Sequence, residues 1–248
     1  MDPKQRIHFI PLESDPDIFT KLIQEFGIRS LEFQDVLSLD LADLLPGGGL
    51  ALPTPVYALI LIFPTTEAYE ADLKAAKRLA HLEGTHYTGH GPQEPVIWFE
   101  QTIHNACGLY AILHAISNLD PTVAKSSIDL ASLFSRFLEL CVALNPEERA
   151  QALEESQGIA EAYRRAATQG STAVPNAEDE VNFHYVCFVK SPLNGHLYDL
   201  DGDKNGPVDR DVSLEGDRGM LSAGLKLVKS YIKDGNPNFQ LMALVPSS

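Results

Sequence analysis

The segment of this sequence that most constrains the fold is the small, apolar stretch from Asn105 to Asn118. Its apolar residues recur at helical spacing, at Ala106, Leu109, Ile112, Leu113 and Ile116. This periodicity predicts a helix. Because the stretch is apolar on most of its circumference, the predicted helix is a buried one.

Cys107 lies where a polar loop, Gln101 to Asn105, meets the start of this helix. Unpaired amides and the positive end of the helix dipole favour a thiolate over a thiol at such a position. The location therefore indicates a nucleophilic cysteine. The alternative is an ordinary core residue, since free cysteine is often buried, and for Cys141 and Cys187 we expect this second role.

A thiol nucleophile needs a base, and the sequence offers several histidines. His114 lies two helical turns beyond Cys107, roughly 10 Å along the axis, which is too far for a hydrogen bond. His104 is close in sequence but would leave the thiol without a separately oriented base. His184 is the better candidate, because it interrupts an apolar stretch that reads as a buried strand.

A carboxylate that could orient His184 follows on the return strand of the same predicted hairpin. Asp199 and Asp201 both lie in the stretch from Leu197 to Gly202. Because alternate residues of a strand share a face, periodicity does not choose between them. A Cys, His, Asp order with the thiol at a helix start is similar to the arrangement of papain-like thiol peptidases.

The rest of the chain alternates between helical and strand patterns, which predicts an α/β fold with a central, mostly antiparallel sheet flanked by helices. Helices are predicted over 15–26, 65–82, 127–144, from 145 onwards and over 221–232; strands are predicted over 32–39, 56–63, 96–99, 181–189, 196–200 and 239–245. Residues of about 157–180 are rich in Ala, Gly, Ser, Thr and Gln, and they predict a mobile loop. We expect one domain over residues 1–248.

Composition excludes several classes of function. The 34 acidic residues outnumber the 19 Lys and Arg residues and give a net charge of −15, which disfavours binding to nucleic acid or to an anionic membrane. The apolar run from Val56 to Phe63 is far shorter than the roughly 20 residues that span a bilayer. No signal peptide is evident at the N-terminus. Three separated cysteines without a CxxC pair predict a reducing compartment and neither a disulfide framework nor a metal site.

Several motifs together resemble the ubiquitin C-terminal hydrolase family of cysteine deubiquitinases, of the short single-domain type. They are Gln101 to Gly108, the Asp-Glu-Val-Asn-Phe-His run that ends at His184, and Leu197 to Gly202. Further similarity lies at Phe9 to Pro16, Phe63 to Thr65, Pro146 to Ala150 and the Phe239 strand. The resemblance implies a papain-like architecture with a knotted chain path and a crossover loop at 157–180.

The resemblance also implies a role for individual residues. Cys107 would be the nucleophile, His184 the general base and then acid, and Asp201 the orienting carboxylate. Gln101 would donate its side-chain amide to the oxyanion. Substrate contacts would come from acidic and apolar positions, namely Glu13, Asp17, Asp35, Pro11, Leu12 and Phe239.

The implied reaction cleaves small or unfolded adducts from the C-terminal glycine of ubiquitin through a thioester, with no cofactor. Two alternatives stay open: a processing peptidase that prefers Nedd8, and a non-catalytic ubiquitin-binding module on the same fold. We expect a monomer that lies in the cytoplasm and also in the nucleus.

Overall fold

The structure is a computed structural model that describes residues 7–170, 183–232 and 238–247. Its helices are α1 (Pro16–Glu25), α2 (Leu41–Leu44), α3 (Glu67–Glu83), α4 (Cys107–Ser117), α5 (Pro121–Ser127), α6 (Leu133–Ala143), α7 (Pro146–Glu155), α8 (Gln157–Ala167) and α9 (Gly219–Tyr231). Its strands are β1 (Leu31–Asp35), β2 (Ala58–Pro64), β3 (Phe183–Lys190), β4 (His196–Leu200), β5 (Val208–Ser213) and β6 (Gln240–Pro246).

The strands form one six-stranded sheet in the order β1-β6-β2-β3-β4-β5. All of its pairings are antiparallel, which confirms the predicted α/β class. The register places His184 opposite Phe63 at the end of β2. The β3–β4 hairpin pairs Cys187 with Leu200, so the residue after β4 lies near the start of β3.

Both faces of the sheet are buried, because alternate residues of its central strands enter two separate apolar clusters. On one face, Ile60, Cys187 and Met242 pack with α1 and α4. On the other face, Leu61 and Val186 pack with α9. The predicted buried helix is confirmed, since α4 is covered on nearly every side and packs on β2 and β3.

Two helix starts follow their sequence signals closely. Asp15 caps α1 by accepting hydrogen bonds from the N–H groups of Asp17 and Ile18. Asn145 and Glu148 form a reciprocal capping box at α7, with Pro146 in the first turn. Such caps satisfy amide groups that a helix start would otherwise leave unpaired.

The predicted strand over residues 96–99 is wrong, although its apolar residues are buried. Side chains take the place of a neighbouring strand there. Asn118 hydrogen bonds to both the N–H and the C=O of Ile97, and His114 Nε2 accepts from the Phe99 N–H at 3.0 Å. The segment is therefore an extended buried loop, fixed by polar side chains of α4 and the residue after it.

The single helix predicted over 127–144 is also wrong, because α5 ends at Ser127 and α6 begins at Leu133. Asp129 accepts from the Ala131 N–H, and Ser132 caps α6 by accepting from the Ser135 N–H. Strand β5, in contrast, is a polar edge strand that its sequence pattern did not indicate.

The first part of the predicted loop at 157–180 is helical. α8 buries Ile159, Ala162, Tyr163 and Ala166 along one face, and it packs against α1. Alanine has the highest helix propensity and permits close packing, so an Ala-rich composition did not mean a loop here. Residues 171–182, where the rest of the prediction falls, lie outside the described residues.

Among the described residues, no helix is both long and apolar enough to cross a membrane. The three cysteines are free thiols, and Cys141 and Cys187 are buried as expected. The knotted chain path stays a prediction.

Candidate active site

Cys107 is the first residue of α4, as predicted. The residue before it, Ala106, makes no side-chain cap, and Asn105 adopts a left-handed conformation with φ 59° that turns the loop into the helix. The N–H groups of Cys107 and Gly108 lie close enough to the thiol to favour its negative form. Such amides can stabilise negative charge.

The resting thiol is nevertheless not an activated one. Burial and, after it, the negative charge of Asp203 raise the pKa of Cys107 to about 12, although the N–H groups of Gly108 and Cys107 act to lower it. Desolvation thus outweighs the effect of the helix start on the pKa of the thiol, and the nucleophilic role of Cys107 stays a prediction.

His184 and Asp201 form a buried pair. His184 Nε2 donates to Asp201 Oδ1 at 2.8 Å, and the two side chains are 6% and 0% exposed. Desolvation acts to lower the pKa of His184, but the charge and hydrogen bond of Asp201 outweigh it, so that the pKa is raised. With Nε2 engaged, Nδ1 is the nitrogen that can exchange a proton with a thiol.

Asp201 is fixed in this position by contacts on several sides. Its backbone C=O accepts from the indole of Trp98 at 3.0 Å, and its carboxylate accepts from the Asp203 N–H at 2.9 Å and from the Tyr69 hydroxyl at 3.3 Å. Although desolvation opposes ionisation, His184 lowers the pKa of Asp201 to about 2. The carboxylate is therefore ionised at neutral pH, as an orienting residue requires.

Of the two aspartates that strand alternation left open, Asp201 is the one that hydrogen bonds to His184. Asp199 is buried and binds three other partners, because Lys204 Nζ and the Tyr231 hydroxyl lie 2.9 Å and 2.6 Å from its Oδ2 and Arg210 contacts the same oxygen. Asp199 thus joins β4, β5 and α9, whereas Asp201 hydrogen bonds to His184. These partners come from distant parts of the chain, so strand alternation could not distinguish the two residues.

The loop of Gln101 is anchored to both sides of the site. The Tyr110 hydroxyl in α4 accepts from the N–H groups of Thr102 and Ile103 at 3.2 and 3.3 Å. The Gln101 N–H donates to the Gly202 C=O at 2.8 Å. The Gln101 side chain is buried, and its Oε1 has no hydrogen-bond partner among the described residues.

Gly202 allows the loop of Gln101 to lie against the turn that carries Asp201. A Cβ at this position would lie 2.8 Å from Gln101 Cβ, 3.2 Å from Gln101 N and 3.3 Å from the Phe99 C=O oxygen. Two of these three neighbours are backbone atoms that cannot rotate away. The glycine of the Asp-Gly pair is therefore required by close approach between the two loops.

A buried ion pair that the sequence did not predict supports Trp98, which hydrogen bonds to Asp201. Arg149 is fully buried, forms an ion pair with Glu94 and donates to the C=O groups of Cys141 and Trp98. Trp98 in turn supports Asp201. The capped start of α7 was visible in the sequence, but nothing in the pattern indicated that its arginine points inward.

His114 has a structural role, as its distance from Cys107 suggested. It accepts the Phe99 N–H, and burial lowers its pKa to about 3. His104 ties residues 7–9 to the loop, because its N–H donates to the Ile7 C=O and its C=O accepts from the Phe9 N–H.

Some of the positions suggested for substrate contact lie near one another at the end of β1. Gln240 Nε2 bridges the Ser14 C=O and Asp35 Oδ1 at 2.8 and 2.9 Å, so the segment after Glu13 lies near the end of β1. Asp35 and Phe239 line one cavity of about 290 Å³. Asp17 is exposed in the first turn of α1, and Pro11 is partly buried.

Leu12 is mostly buried in the resting protein. It is only 5% exposed and belongs to the main core, and its side chain lies against the position of Gly108 in α4. Its C=O accepts from the Tyr185 hydroxyl at 3.1 Å. The Leu12 side chain therefore packs beside the start of α4, and its contact with a substrate's apolar surface stays a prediction.

One group of possible metal ligands occurs among the described residues: His184, Asp201 and Asp203 each bring one ligand atom within 4.8 Å of the others. His184 Nε2 is already hydrogen bonded to Asp201, and the same carboxylate accepts the Asp203 N–H. We therefore interpret the group as a hydrogen-bonded cluster.

Comparison with known proteins places this geometry in a family. The family described as ubiquitin carboxyl-terminal hydrolase, family 1, matches residues 9–233. The chain belongs to this family. A ubiquitin carboxyl-terminal hydrolase of Aplysia californica is 35% identical over 201 residues, which are 81% of this chain and 84% of that protein. The human isozyme L1 is 31% identical over 238 residues, which are 94% and 96% of the two chains. The family inferred from the motifs is confirmed.

Solved structures of this family share the fold. The Trichinella spiralis UCH37 catalytic domain bound to ubiquitin vinyl methyl ester aligns with a TM-score of 0.68 at 23% identity, covering 97% of this chain and 96% of that one. A second structure of that protein, also bound to ubiquitin vinyl methyl ester, aligns with a TM-score of 0.67 at 21% identity, covering 96% and 82%.

Proposed function

We propose that this protein is a thiol hydrolase that cleaves adducts from the C-terminal glycine of ubiquitin. The observation that carries the proposal is the buried His184–Asp201 pair, bonded at 2.8 Å through Nε2, in a chain whose α4 begins with a cysteine. Family membership identifies ubiquitin as the substrate class, and the solved relatives bound to a ubiquitin ester support it.

In the proposed mechanism, His184 Nδ1 takes the proton of Cys107, and the thiolate attacks the carbonyl carbon of the terminal glycine. The oxyanion accepts hydrogen bonds from the Cys107 N–H and from the side-chain amide of Gln101. The imidazolium then protonates the leaving amine or thiol, and a thioester remains. Water, deprotonated by His184, attacks the thioester and releases ubiquitin with a free carboxylate.

Asp201 does not exchange a proton in this scheme. Its pKa of about 2 keeps it ionised throughout, so it orients the ring and stabilises the imidazolium that forms twice in each cycle. Among the described residues, no hydrogen bond joins Cys107 to His184. We propose that bound substrate completes that contact, as often occurs when catalytic hydrogen bonds form only in the substrate complex.

We propose that the cavity lined by Asp35 and Phe239 lies in the ubiquitin-binding surface. Glu13 and Asp17 are close in sequence to Ser14, whose C=O binds the same Gln240 amide as Asp35. Carboxylates there suit the arginine-bearing tail that the family's substrate carries, and charge complementarity of this kind acts mainly on association rate and specificity. The protein's net charge of −15 favours the same partner.

The proposal is tested by labelling the protein with vinyl-type electrophilic probes built on ubiquitin and on Nedd8. Cys107→Ala should abolish labelling, whereas Cys141→Ala, a change at a buried thiol, serves as the control and should leave it intact if the variant folds. Labelling that survives Cys107→Ala would show that another residue is the nucleophile.

The same experiment separates the alternatives. Faster reaction with the Nedd8 probe would favour a processing peptidase for that modifier. Binding of unmodified ubiquitin with no labelling by either probe would favour a non-catalytic ubiquitin-binding module.

A further inference from the structure

Asp203 approaches the nitrogen of His184 that the proposed mechanism uses. Its Oδ2 lies 3.8 Å from His184 Nδ1, while Asp201 Oδ1 holds Nε2 at 2.8 Å. The Asp203 N–H also donates to Asp201 at 2.9 Å, which fixes the turn that carries both residues. The imidazole therefore lies between two carboxylates, one at each nitrogen.

The other groups around His184 do not neutralise this second carboxylate. Tyr69 of α3 lies with its ring 6.0 Å from that of His184 and gives its hydroxyl to Asp201. Phe63 of β2 is uncharged and packs edge-on at 5.9 Å. Lys204 acts on His184 from the turn after β4 but binds Asp199 at 2.9 Å.

Among the described residues, the lysine that forms an ion pair with Asp203 is Lys77 of α3, at 3.9 Å, and this lysine is shared with Glu100 at 3.8 Å. Both distances are at the long end for an ion pair, and all three side chains are about one third or more exposed. Surface pairs of this kind are weak, so Lys77 offsets the effect of the Asp203 carboxylate on His184 only in small part.

That charge acts on both members of the reacting pair. It contributes to the raised pKa of His184, after the larger effect of Asp201, and it is the main electrostatic cause of the raised pKa of Cys107 after burial. A negative charge beside both groups favours the protonated imidazole and the neutral thiol, which together are the inactive protonation state.

We propose that Asp203 is a positioning residue that retains a proton on His184 Nδ1 and opposes the Cys107 thiolate, and thereby sets the pH range in which the enzyme works. This inference rests on the proposed function of the Cys107–His184 pair. At 3.8 Å, Asp203 Oδ2 is too far from His184 Nδ1 for a hydrogen bond, so its effect is exerted through the charge it places beside the reacting pair.

The test is the pH dependence of kcat/KM for Asp203→Asn, measured with a fluorogenic ubiquitin C-terminal amide. Asparagine keeps the size and the backbone N–H but removes the charge. Both limbs of the profile should move to lower pH by about one unit, because a charge near 4 Å that is largely screened by solvent is worth roughly that much. On the acid limb the variant should be about tenfold faster than the parent protein.

Glu100→Gln is the matched control. This substitution also removes one negative charge that pairs with Lys77. No contact between Glu100 and His184 occurs among the described residues. Its profile should stay within a few tenths of a unit of the parent. Lys77→Met should move the profile to higher pH, and this shift should vanish in the Lys77→Met, Asp203→Asn double variant if the lysine acts through Asp203.

A second measurement is independent of ubiquitin hydrolysis. The rate of Cys107 alkylation by iodoacetamide, followed by mass spectrometry, reports the thiolate as a function of pH. Asp203→Asn should raise this rate about tenfold at pH 7. A shift in alkylation with no ubiquitin hydrolysis by either protein would support the charge effect and contradict the proposed function.

Two results would overturn the inference itself. One is an alkylation profile that is the same with aspartate and asparagine at 203. The other is an equal shift in Glu100→Gln, which would mean that any lost surface charge has the same effect.

Discussion

The close approach of Gly202 to Gln101 yields a test of whether the two loops act as one unit. Gly202→Ala would place a Cβ 2.8 Å from Gln101 Cβ and 3.2 Å from Gln101 N. Carbon atoms pack at about 3.5–4.0 Å, so the loops must separate by roughly 1 Å. Overpacking of this kind typically costs about 1–3 kcal/mol of stability, which urea unfolding would measure.

The catalytic effect of Gly202→Ala should exceed its effect on stability. Gln101 supplies a proposed oxyanion donor, and the loss of one such donor costs about 100-fold or more in kcat. Since misplacement by about 1 Å can cost a similar factor, we expect kcat on a fluorogenic ubiquitin amide to fall about 100-fold with a smaller change in KM. Gly49→Ala is the control, because no atom lies within 4 Å of the added Cβ.

The reasoning is tested most strictly in a Gln101→Ala background. If Gly202→Ala acts by displacing Gln101, then adding it to Gln101→Ala should cost less than about fivefold more in kcat. Fully multiplicative effects would refute this route of action. A Gly202→Ala protein with parental kcat would refute the claim that the loops must lie this close.

Three further predictions concern stability and recognition. Arg149→Met should lower the free energy of unfolding by about 3–5 kcal/mol, because it leaves the carboxylate of Glu94, which is 1% exposed, without its cation. Urea unfolding measures this loss, and part of it should be recovered in an Arg149→Met, Glu94→Gln double variant. The pKa of His114 is about 3 in the folded protein and lies below its unfolded value, so its contribution to stability is present above about pH 6.5 and is lost as pH falls toward 3. Relative to His114→Gln, which keeps an acceptor for the Phe99 N–H, the parent should lose about 1.4 kcal/mol per pH unit in that window, and equal slopes in unfolding measured against pH would contradict this. Asp35→Lys should slow labelling by the ubiquitin probe and flatten its salt dependence, whereas charge reversal at exposed Glu139 in α6 should leave both unchanged.

Much of the fold could be predicted because its signals are local. The cap at Asp15, the capping box at Asn145 and the apolar periodicity of α4 each depend on residues within one or two turns. The β3–β4 hairpin likewise follows from two apolar runs around a short turn. Local chemistry of this kind is readable from the sequence since it needs no partner from elsewhere in the chain.

Two of the misjudged features, the segment at 96–99 and the burial of Arg149, arose where distant side chains determine the structure. Residues 96–99 are apolar and buried but do not form a strand, because Asn118 and His114 supply their hydrogen bonds. The burial of Arg149 depends on Glu94, which lies 55 positions earlier in the chain. No window of sequence contains both members of such a pair, and only the assembled fold brings them together.

The electrostatics of the candidate site likewise combine a local feature with the effects of distant residues. The start of α4 is a local feature, and it correctly identified the position of Cys107, but the thiol's protonation state depends on what covers it. Tyr163 of α8 and Tyr185 of β3 both lie close enough to interact with Cys107, and their hydroxyls are bound to the C=O groups of Ile10 and Leu12 at 2.7 and 3.1 Å. These contacts enclose the thiol in a poorly solvated environment that a helix start alone does not offset. The pKa of Cys107 therefore depends on burial and on the charges of Asp203 and Asp201, as well as on the N–H groups at the start of the helix that carries it.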